Sequence, residues 1–165
     1  MDVEKIIEIL GLEPHPEGGY YAETYRATEP IPWPALPDRY DGERCHGTGI
    51  YYLLTATSFS ALHRIRSDEL FHFYLGDPVT LLRLHPDGGG DEHVLGPELQ
   101  RGQRPQAVAP RGVWQGLRLE DGGRFALLGC TVAPGFDFAD FELGEREQLI
   151  QEYPRWLPQI RQLTR

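Results

Sequence analysis

Two side chains suited to acid–base chemistry stand close together near the middle of the chain. His63 falls on a predicted strand, and Glu69 follows six positions later, after a turn signal at residues 67–68. Carboxylates are almost never buried without a partner, so a Glu69 that faces the protein interior must meet a basic group, a ligand or a metal ion. If adjacent antiparallel strands carry them, His63 and Glu69 lie within reach on one inner face. The pair predicts proton transfer or the recognition of a small polar molecule.

Other polar side chains are candidates for the same site. His72 follows Glu69 by three residues, so strict strand alternation sends it to the opposite face unless a β-bulge brings both inward. Gln115 is the second residue of another predicted strand, where its amide can bind a substrate but makes a poor transition-metal ligand. His15 stands between two prolines and is interpreted as a turn residue.

Aromatic side chains are expected to fill or line the interior, because large residues fill small barrels. Among them, Tyr52, Tyr74 and Trp114 are the candidates for contact with a ligand. The hydroxyl of Tyr52 or Tyr74 is also a candidate to return a proton to a substrate on the face opposite His63.

The elements that must position these residues are short strands between two helical ends. Apolar residues at helical spacing predict helices over residues 2–11 and 145–162, the second of them divided at Pro154. Glycine- and proline-rich turns separate the predicted strands, which are residues 20–25, 49–56, 60–66, 70–75, 79–85, 92–95, 106–108, 114–119 and 125–132. Many short strands without interleaved helices indicate an all-β sandwich or barrel. The proline-rich residues 28–45 are predicted to form a long surface loop without strand pairing, a lid or a partner-binding arm.

Composition narrows the class of protein. A chain of 165 residues with 40% hydrophobic residues suits one domain with a real core. A net charge of −9 without a local cluster of basic residues argues against nucleic acid and anionic membranes as partners. The apolar runs fall far short of the ~20 residues of a membrane helix, and the first residues do not resemble a signal peptide. Cys45 and Cys130 are expected to be reduced thiols, and a cytoplasmic location is expected.

The same residues resemble the motifs of the cupin superfamily. Its first motif places His-x-His, then Glu, then Gly, and this frame falls on His63, Ile65, Glu69 and Gly76. Gln115 falls at the histidine of the second motif. The resemblance implies that metal-binding cupins hold their metal with three histidines and one glutamate. In this sequence, Ile65 and Gln115 stand at two of the histidine positions. The resemblance therefore implies a barrel that lacks two of the four usual metal ligands.

Five separated blocks resemble one cupin family more closely, the family called Cupin_5 or DUF985. They are residues 15–21 (HPEGGYY), 60–64 (SALHR), 67–74 (SDELFHFY), 112–115 (GVWQ) and 134–138 (PGFDF). The resemblance spans about residues 10–143. It implies a single cupin-type jelly-roll barrel (a double-stranded β-helix) with its core at about residues 18–143. It also implies a homodimer in which strands of each chain extend the partner's sheet.

The resemblance and the residues together leave three functions open. The first is a metal-independent isomerase or epimerase for a carbohydrate-like or nucleotide-sugar substrate, with His63 as base oriented by Glu69 and with His72 as a further catalytic candidate. Sugar-nucleotide epimerases, the usual comparison for this family, supply the analogy. The second is a metalloenzyme using His63, Glu69 and His72, with Gln115 as an outer ligand, although no metal or other cofactor is expected. The third is a non-catalytic module that binds a metabolite.

Overall fold

The computed structural model describes residues 2–165, which fold into two antiparallel sheets with short helices at both ends. The helices are α1 (Val3–Leu10), α2 (Arg146–Glu152) and α3 (Leu157–Gln162). The strands are β1 (Glu13–Pro14), β2 (Tyr20–Arg26), β3 (Pro30–Ile31), β4 (Arg44–Cys45), β5 (Thr48–Thr55), β6 (Ser60–Arg64), β7 (Asp68–Gly76), β8 (Val79–Leu84), β9 (Gly90–Leu95), β10 (Gln106–Ala109), β11 (Trp114–Leu119), β12 (Phe125–Ala133) and β13 (Glu142–Leu143).

Most neighbouring strands in the two main sheets are not consecutive in the chain. Sheet 1 has the order β1-β2-β5-β12-β7-β10, and sheet 2 has the order β13-β6-β11-β8-β9. The chain crosses from one sheet to the other at the corner between β6 and β7, so His63 and Glu69 belong to different sheets. The expectation that their strands pair was therefore wrong: the two side chains approach across the space between the sheets.

Strand alternation sends one set of side chains from each sheet into a common core. Tyr52, Phe71 and Leu128 of sheet 1 pack with Leu81 and Leu117 of sheet 2 in one buried cluster. Neighbouring residues on the same strands face outward, where helices cover them. The helix α1 packs on the outer side of sheet 1, and α2 and α3 pack on the outer side of sheet 2.

Local sequence signals account for the helix ends. The Asp2 side chain accepts a hydrogen bond from the Glu4 amide at the start of α1, and Gly11 ends the helix in a left-handed conformation with φ of 61°. Pro154 lies between α2 and α3, where a 3₁₀ turn separates the two helices. No helix within residues 2–165 is long and apolar enough to cross a membrane.

The predicted all-β jelly roll with short terminal helices is confirmed, and one local expectation is corrected. Residues 28–45 were predicted to lack strand pairing, but β3 and β4 form a two-stranded ribbon in which Pro30 faces Cys45 and Ile31 faces Arg44. Such a short ribbon tolerates proline, because few of its amides need a partner.

Candidate active site

A cavity of about 470 Å³ lies between the two sheets. Its walls combine titratable side chains from both sheets with aromatic side chains of the segment that follows β12. The lining residues are His15, Glu17, Tyr21, Glu23, Arg26, Thr48, Ile50, Tyr52, His63, Glu69, Cys130, Val132, Phe136, Asp137 and Phe138. A cavity of this size suits a small organic molecule.

His63, on β6, is fixed in the wall of the cavity by its two ring nitrogens. Its Nδ1 lies 2.8 Å from the carbonyl oxygen of Ala61 and must carry a proton to donate to it. Its Nε2 lies 3.1 Å from Gln115 Nε2 and 3.3 Å from Glu17 Oε2. In the neutral ring, Nε2 therefore holds the lone pair, and this is the nitrogen that can accept a proton.

Gln115 connects His63 to Glu69. The strands β11 and β6 place Gln115 directly opposite His63. The Gln115 amide donates to His63 Nε2 and, at 2.6 Å, to Glu69 Oε2. The amide thus couples the two groups and lies behind them rather than in the cavity wall.

A second carboxylate, Glu17, reaches the same cluster from a tight turn. Gly18 and Gly19 both have positive φ, and a Cβ at Gly18 would lie in collision with the backbone of Phe59. The backbone oxygen of Glu17 accepts a hydrogen bond from the Ala61 amide, which docks the turn against β6. The conformation required by these glycines therefore delivers the Glu17 side chain to His63.

Hydrogen bonds around the turn orient its side chains. The Ser60 hydroxyl donates to Glu17 Oε1 at 2.7 Å, and the Tyr52 hydroxyl donates to the Gly18 carbonyl at 2.7 Å. The amide of Glu17 donates to His15 Nδ1 at 3.3 Å, so the neutral His15 ring carries its proton on Nε2. His15 and Glu17 are thereby held as a pair in the cavity wall.

Burial shifts the pKa of each of these titratable groups in the direction that favours the neutral form. It raises the pKa of Glu69 to about 7 against the opposing effect of nearby His63. Burial also raises the pKa of Glu17, and it lowers the pKa of His63 and of His15. Near neutral pH the cluster thus combines Glu69 close to half-protonation with imidazoles that favour the basic form, a combination suited to proton transfer.

Replacing Glu69 with glutamine is expected to stabilise the protein at pH 8. The pKa of Glu69 rises from 4.5 in a solvated chain to about 7 in the fold, so its contribution to the free energy of unfolding is fully present below pH 4.5. As the pH rises through 7 that contribution is lost, which lowers the free energy of unfolding by about 3 kcal/mol. Glutamine keeps an acceptor for Gln115 but cannot ionise. In urea unfolding, Glu69→Gln should exceed the wild type by about 3 kcal/mol at pH 8 and match it near pH 4.

The exposed Glu29 provides the control for this measurement. Glu29→Gln should give the same free energy of unfolding as the wild type at both pH values. If Glu69→Gln shows no gain at pH 8, Glu69 ionises in the fold as it does in water, and its assignment as a neutral-pH acid is wrong.

Aromatic residues after β12 form an apolar wall beside the titratable cluster. The Phe141 ring stacks on the His63 ring with centroids 5.3 Å apart, and the Phe138 ring stacks on His15 at 6.3 Å. Phe138 is 53% exposed and so presents an aromatic surface at the mouth of the cavity. The wall can cover one face of a flat ligand while the polar cluster contacts its edge.

The structure does not bring His72, Tyr74 and Trp114 to this cavity, which corrects their predicted placement. His72 lies on the outer face of sheet 1, bonded to Gln106 and Thr131, because the bulge in β7 comes after His72 rather than between Glu69 and His72. Tyr74 lies on the same outer face and is 52% exposed.

Trp114 is buried on the other side of sheet 2 against the C-terminal helices. Strand alternation explains this position, because Trp114 precedes the inward-facing Gln115. Of the predicted ligand-contacting aromatics, Tyr52 lines the cavity.

Sequence reasoning missed Glu17 and interpreted His15 as a turn residue without a role. Both lie in the turn that precedes β2, and both line the cavity. The Gly-Gly pair that follows them was the available signal, because consecutive glycines indicate a backbone that approaches another segment closely.

The predicted alternative metal site is not assembled by these residues. His72 lies outside the cavity, and the Gln115 amide directs its nitrogen toward both His63 and Glu69 while its buried Oε1 has no hydrogen-bond partner. Within residues 2–165, no group of three or more His, Cys, Asp or Glu side chains is arranged to hold a metal ion. The donor set therefore does not fit a metal centre.

Two facing antiparallel sheets with a polar cavity between them define a cupin-type jelly roll. The comparison with known families agrees with this class. The chain belongs to the Cupin_5 family of the cupin superfamily (DUF985), whose model matches residues 4–144.

Relatives extend over nearly the whole chain. The chain is 30% identical over 155 residues to the uncharacterized protein YML079W of Saccharomyces cerevisiae, covering 88% of this chain and 77% of that protein. It is similar to the crystal structure of protein SO0799 from Shewanella oneidensis, with a TM-score of 0.88, 34% identity and coverage of 100% and 98% of the two chains. A hypothetical protein from Leishmania major gives a TM-score of 0.88, 33% identity and coverage of 99% of each chain.

Proposed function

We propose that this protein is a metal-independent enzyme of the isomerase or epimerase type that moves a proton on a carbohydrate-like small molecule. The observation that carries the proposal is the buried cluster of His63, Glu17 and Glu69 at the wall of a ligand-sized cavity. Clusters of groups with shifted pKa values in a cavity are typical of acid–base catalysis.

In the proposed reaction, the Gln115 amide releases the lone pair of His63 Nε2, which then removes a proton from the carbon next to a substrate carbonyl. The electron pair of the broken C–H bond forms an enolate, and the imidazolium formed is stabilised by Glu17 Oε2, 3.3 Å away. Because Nδ1 is bonded to the Ala61 carbonyl, the ring keeps its orientation while Nε2 gains and loses the proton. The Ala61 carbonyl therefore takes the orienting role that the sequence assigned to Glu69, and Glu17 stabilises the charged ring.

The carboxyl group of Glu69 supplies the acid of the proposed reaction. With a pKa of about 7, it can donate a proton to the oxygen of the enolate near neutral pH and recover it afterwards. The Tyr52 hydroxyl, whose pKa burial raises well above its usual value, keeps its proton and donates it to the Gly18 carbonyl, so the groups that can return a proton to carbon are the His63 imidazolium and Glu69. Proton return from a different face inverts the carbon, whereas return by His63 restores it.

The aromatic wall and the polar cluster together favour a carbohydrate-like substrate. A sugar ring presents an apolar face, suited to Phe138, and a polar edge of hydroxyl groups, suited to the cluster of carboxyl and imidazole groups. A carbonyl in the ring or chain provides the acidic C–H bond that the proposed chemistry requires.

Deuterium incorporation from solvent tests the proposed function. The protein is incubated in D₂O with a panel of free keto-sugars and nucleotide-linked keto-sugars, and deuterium at carbon is measured by mass spectrometry. We expect incorporation next to the carbonyl of at least one member of the panel. Binding of panel members without incorporation would instead support the non-catalytic binding module and contradict the enzyme.

The homodimer and the cytoplasmic location stay predictions. Light scattering on the eluted protein measures the first, with twice the chain mass of 18.8 kDa as the expected result.

A further inference from the structure

A second concave site collects arginines although the protein carries a net charge of −9. It has a volume of about 620 Å³, and we call it the arginine groove. Its lining residues are Arg39, Arg64, Ile65, Arg66, Arg111, Gly112, Ala139, Asp140, Phe141 and Glu142. Phe141 also stacks on His63, so it forms a wall shared by the groove and the region of the cavity. The fold brings together basic residues that form no long run in the sequence.

Some of these guanidinium groups are neutralised by carboxylates. Arg64 makes a two-point pair with Glu142, at 2.7 and 2.9 Å. Arg66 lies 3.1 Å from Asp41. Because their charges are paired, Arg64 and Arg66 contribute little net positive charge that could attract a ligand.

The carboxylate of Asp140 is already used by an arginine outside the groove. Arg44 donates to both oxygens of Asp140, at 2.8 and 2.6 Å. Asp140 is therefore not available to neutralise another arginine in full, although Arg66 lies 3.6 Å from it. The negative charge within the groove is accounted for by these contacts.

Two arginines remain as surplus positive charge. Within residues 2–165, Arg39 has no carboxylate oxygen within 4.0 Å, and Arg111 reaches only Asp68, at 4.0 Å. The Arg39 Nε donates to the backbone oxygen of Arg66 at 2.9 Å, and its guanidinium lies 4.7 Å above the ring of Tyr40. Tyr40 is 1% exposed, so a buried residue holds Arg39 beside the arginines of the groove.

We propose that the arginine groove binds a small oxyanion with two or more negative charges, of the phosphate or polycarboxylate type. Guanidinium groups recognise such anions with paired hydrogen bonds, and an anion would balance the charges of Arg39 and of Arg111, which Asp68 pairs only at 4.0 Å. The fixed position of Arg39 lowers the entropy cost of binding. The proposal concerns a site apart from the catalytic cavity, since neither Arg39 nor Arg111 lines that cavity.

Calorimetric titration with inorganic pyrophosphate and, separately, with citrate tests this site at constant ionic strength set with NaCl. We expect saturable binding of at least one anion. Arg111→Gln should raise its Kd about tenfold, because one charge-assisted contact is lost. Among the residues that the structure describes, the Arg111 guanidinium makes no hydrogen bond, and its one ionic contact, with Asp68, is 4.0 Å long, so this variant should fold normally. Arg39→Gln should weaken binding in the same direction.

Arg124→Gln is the matched control. Arg124 also has one distant carboxylate, Asp77 at 3.8 Å, and it lies outside the groove, so its loss removes the same net charge. Its Kd should equal that of the wild type. Equal weakening by Arg111→Gln and Arg124→Gln would show general charge attraction and overturn the proposal, as would the absence of saturable binding by both anions.

Preference for pyrophosphate identifies a phosphate site, and preference for citrate identifies a polycarboxylate site. The titration contains no sugar, so its outcome is independent of the deuterium experiment.

Discussion

Replacing His63 with alanine is expected to lower deuterium incorporation by at least about 100-fold, the range in which a general base contributes to catalysis. The expectation follows from the position of Nε2, which faces Glu17 Oε2 at 3.3 Å and holds the ring's lone pair. Rates are measured by mass spectrometry in D₂O with the keto-sugar that the wild type labels fastest. Alanine removes the proposed base and leaves in place the aromatic residues that are proposed to contact the substrate.

His72→Ala is the matched control for this experiment. It removes an imidazole from the other sheet, and the sequence alone favoured it as a catalytic residue, but the structure places it on the outer face. Its labelling rate should equal that of the wild type. Thermal unfolding of both variants separates lost chemistry from lost structure. If folded His63→Ala retains the wild-type rate, His63 is not the base of the proposed reaction.

The pattern of strands was readable from the sequence because side-chain alternation and turn residues act locally. Glycine and proline mark where strands end, and each of the nine predicted strands overlaps an observed one. The two-residue strands escaped prediction, since so short an element has no alternation. Pairing of β3 with β4 depends on tertiary contacts, because buried Tyr40 in the loop between them and buried Arg44 in β4 hold this segment against the fold.

The sequence identified only some of the residues that line the site. The spacing of His63 and Glu69 drew attention to both, and both line the cavity. The corner that carries them into different sheets is a tertiary feature, and so is the bulge position that leaves His72 outside. Glu17 comes from a distant turn, and no local pattern indicates which strand such a turn will dock on.

A buried ion pair holds the aromatic segment in place, and breaking it should destabilise the protein strongly. Arg44 and Asp140 make two short hydrogen bonds with side chains that are 4% and 3% exposed. Arg44→Met leaves the Asp140 carboxylate buried, with only Arg66 nearby at 3.6 Å. We expect a loss of about 4 kcal/mol in the free energy of unfolding, measured with urea, because an uncompensated buried charge is costly.

The chain contains a control with the same geometry and a different exposure. Arg64 and Glu142 also make a two-point pair, at 2.7 and 2.9 Å, but their side chains are 41% and 53% exposed. Arg64→Met should therefore cost about 1 kcal/mol or less from the ion pair, because water replaces the lost contact. A similar loss in Arg44→Met and Arg64→Met would mean that burial does not set the importance of the Arg44–Asp140 pair.

A second substitution separates the lost contact from the stranded charge. Asp140→Asn in the Arg44→Met background removes the uncompensated charge, so this double variant should recover part of the stability that the single variant loses.

Asp140 lies in the chain between Phe138 and Phe141, which stack on His15 and His63. If the wall contacts substrate as proposed, loosening this segment should raise the KM for the keto-sugar more than it lowers kcat, because the proposed proton-transfer groups stay on β6 and β7. An unchanged KM in a measurably destabilised Arg44→Met protein would show that the aromatic wall does not contribute to substrate binding.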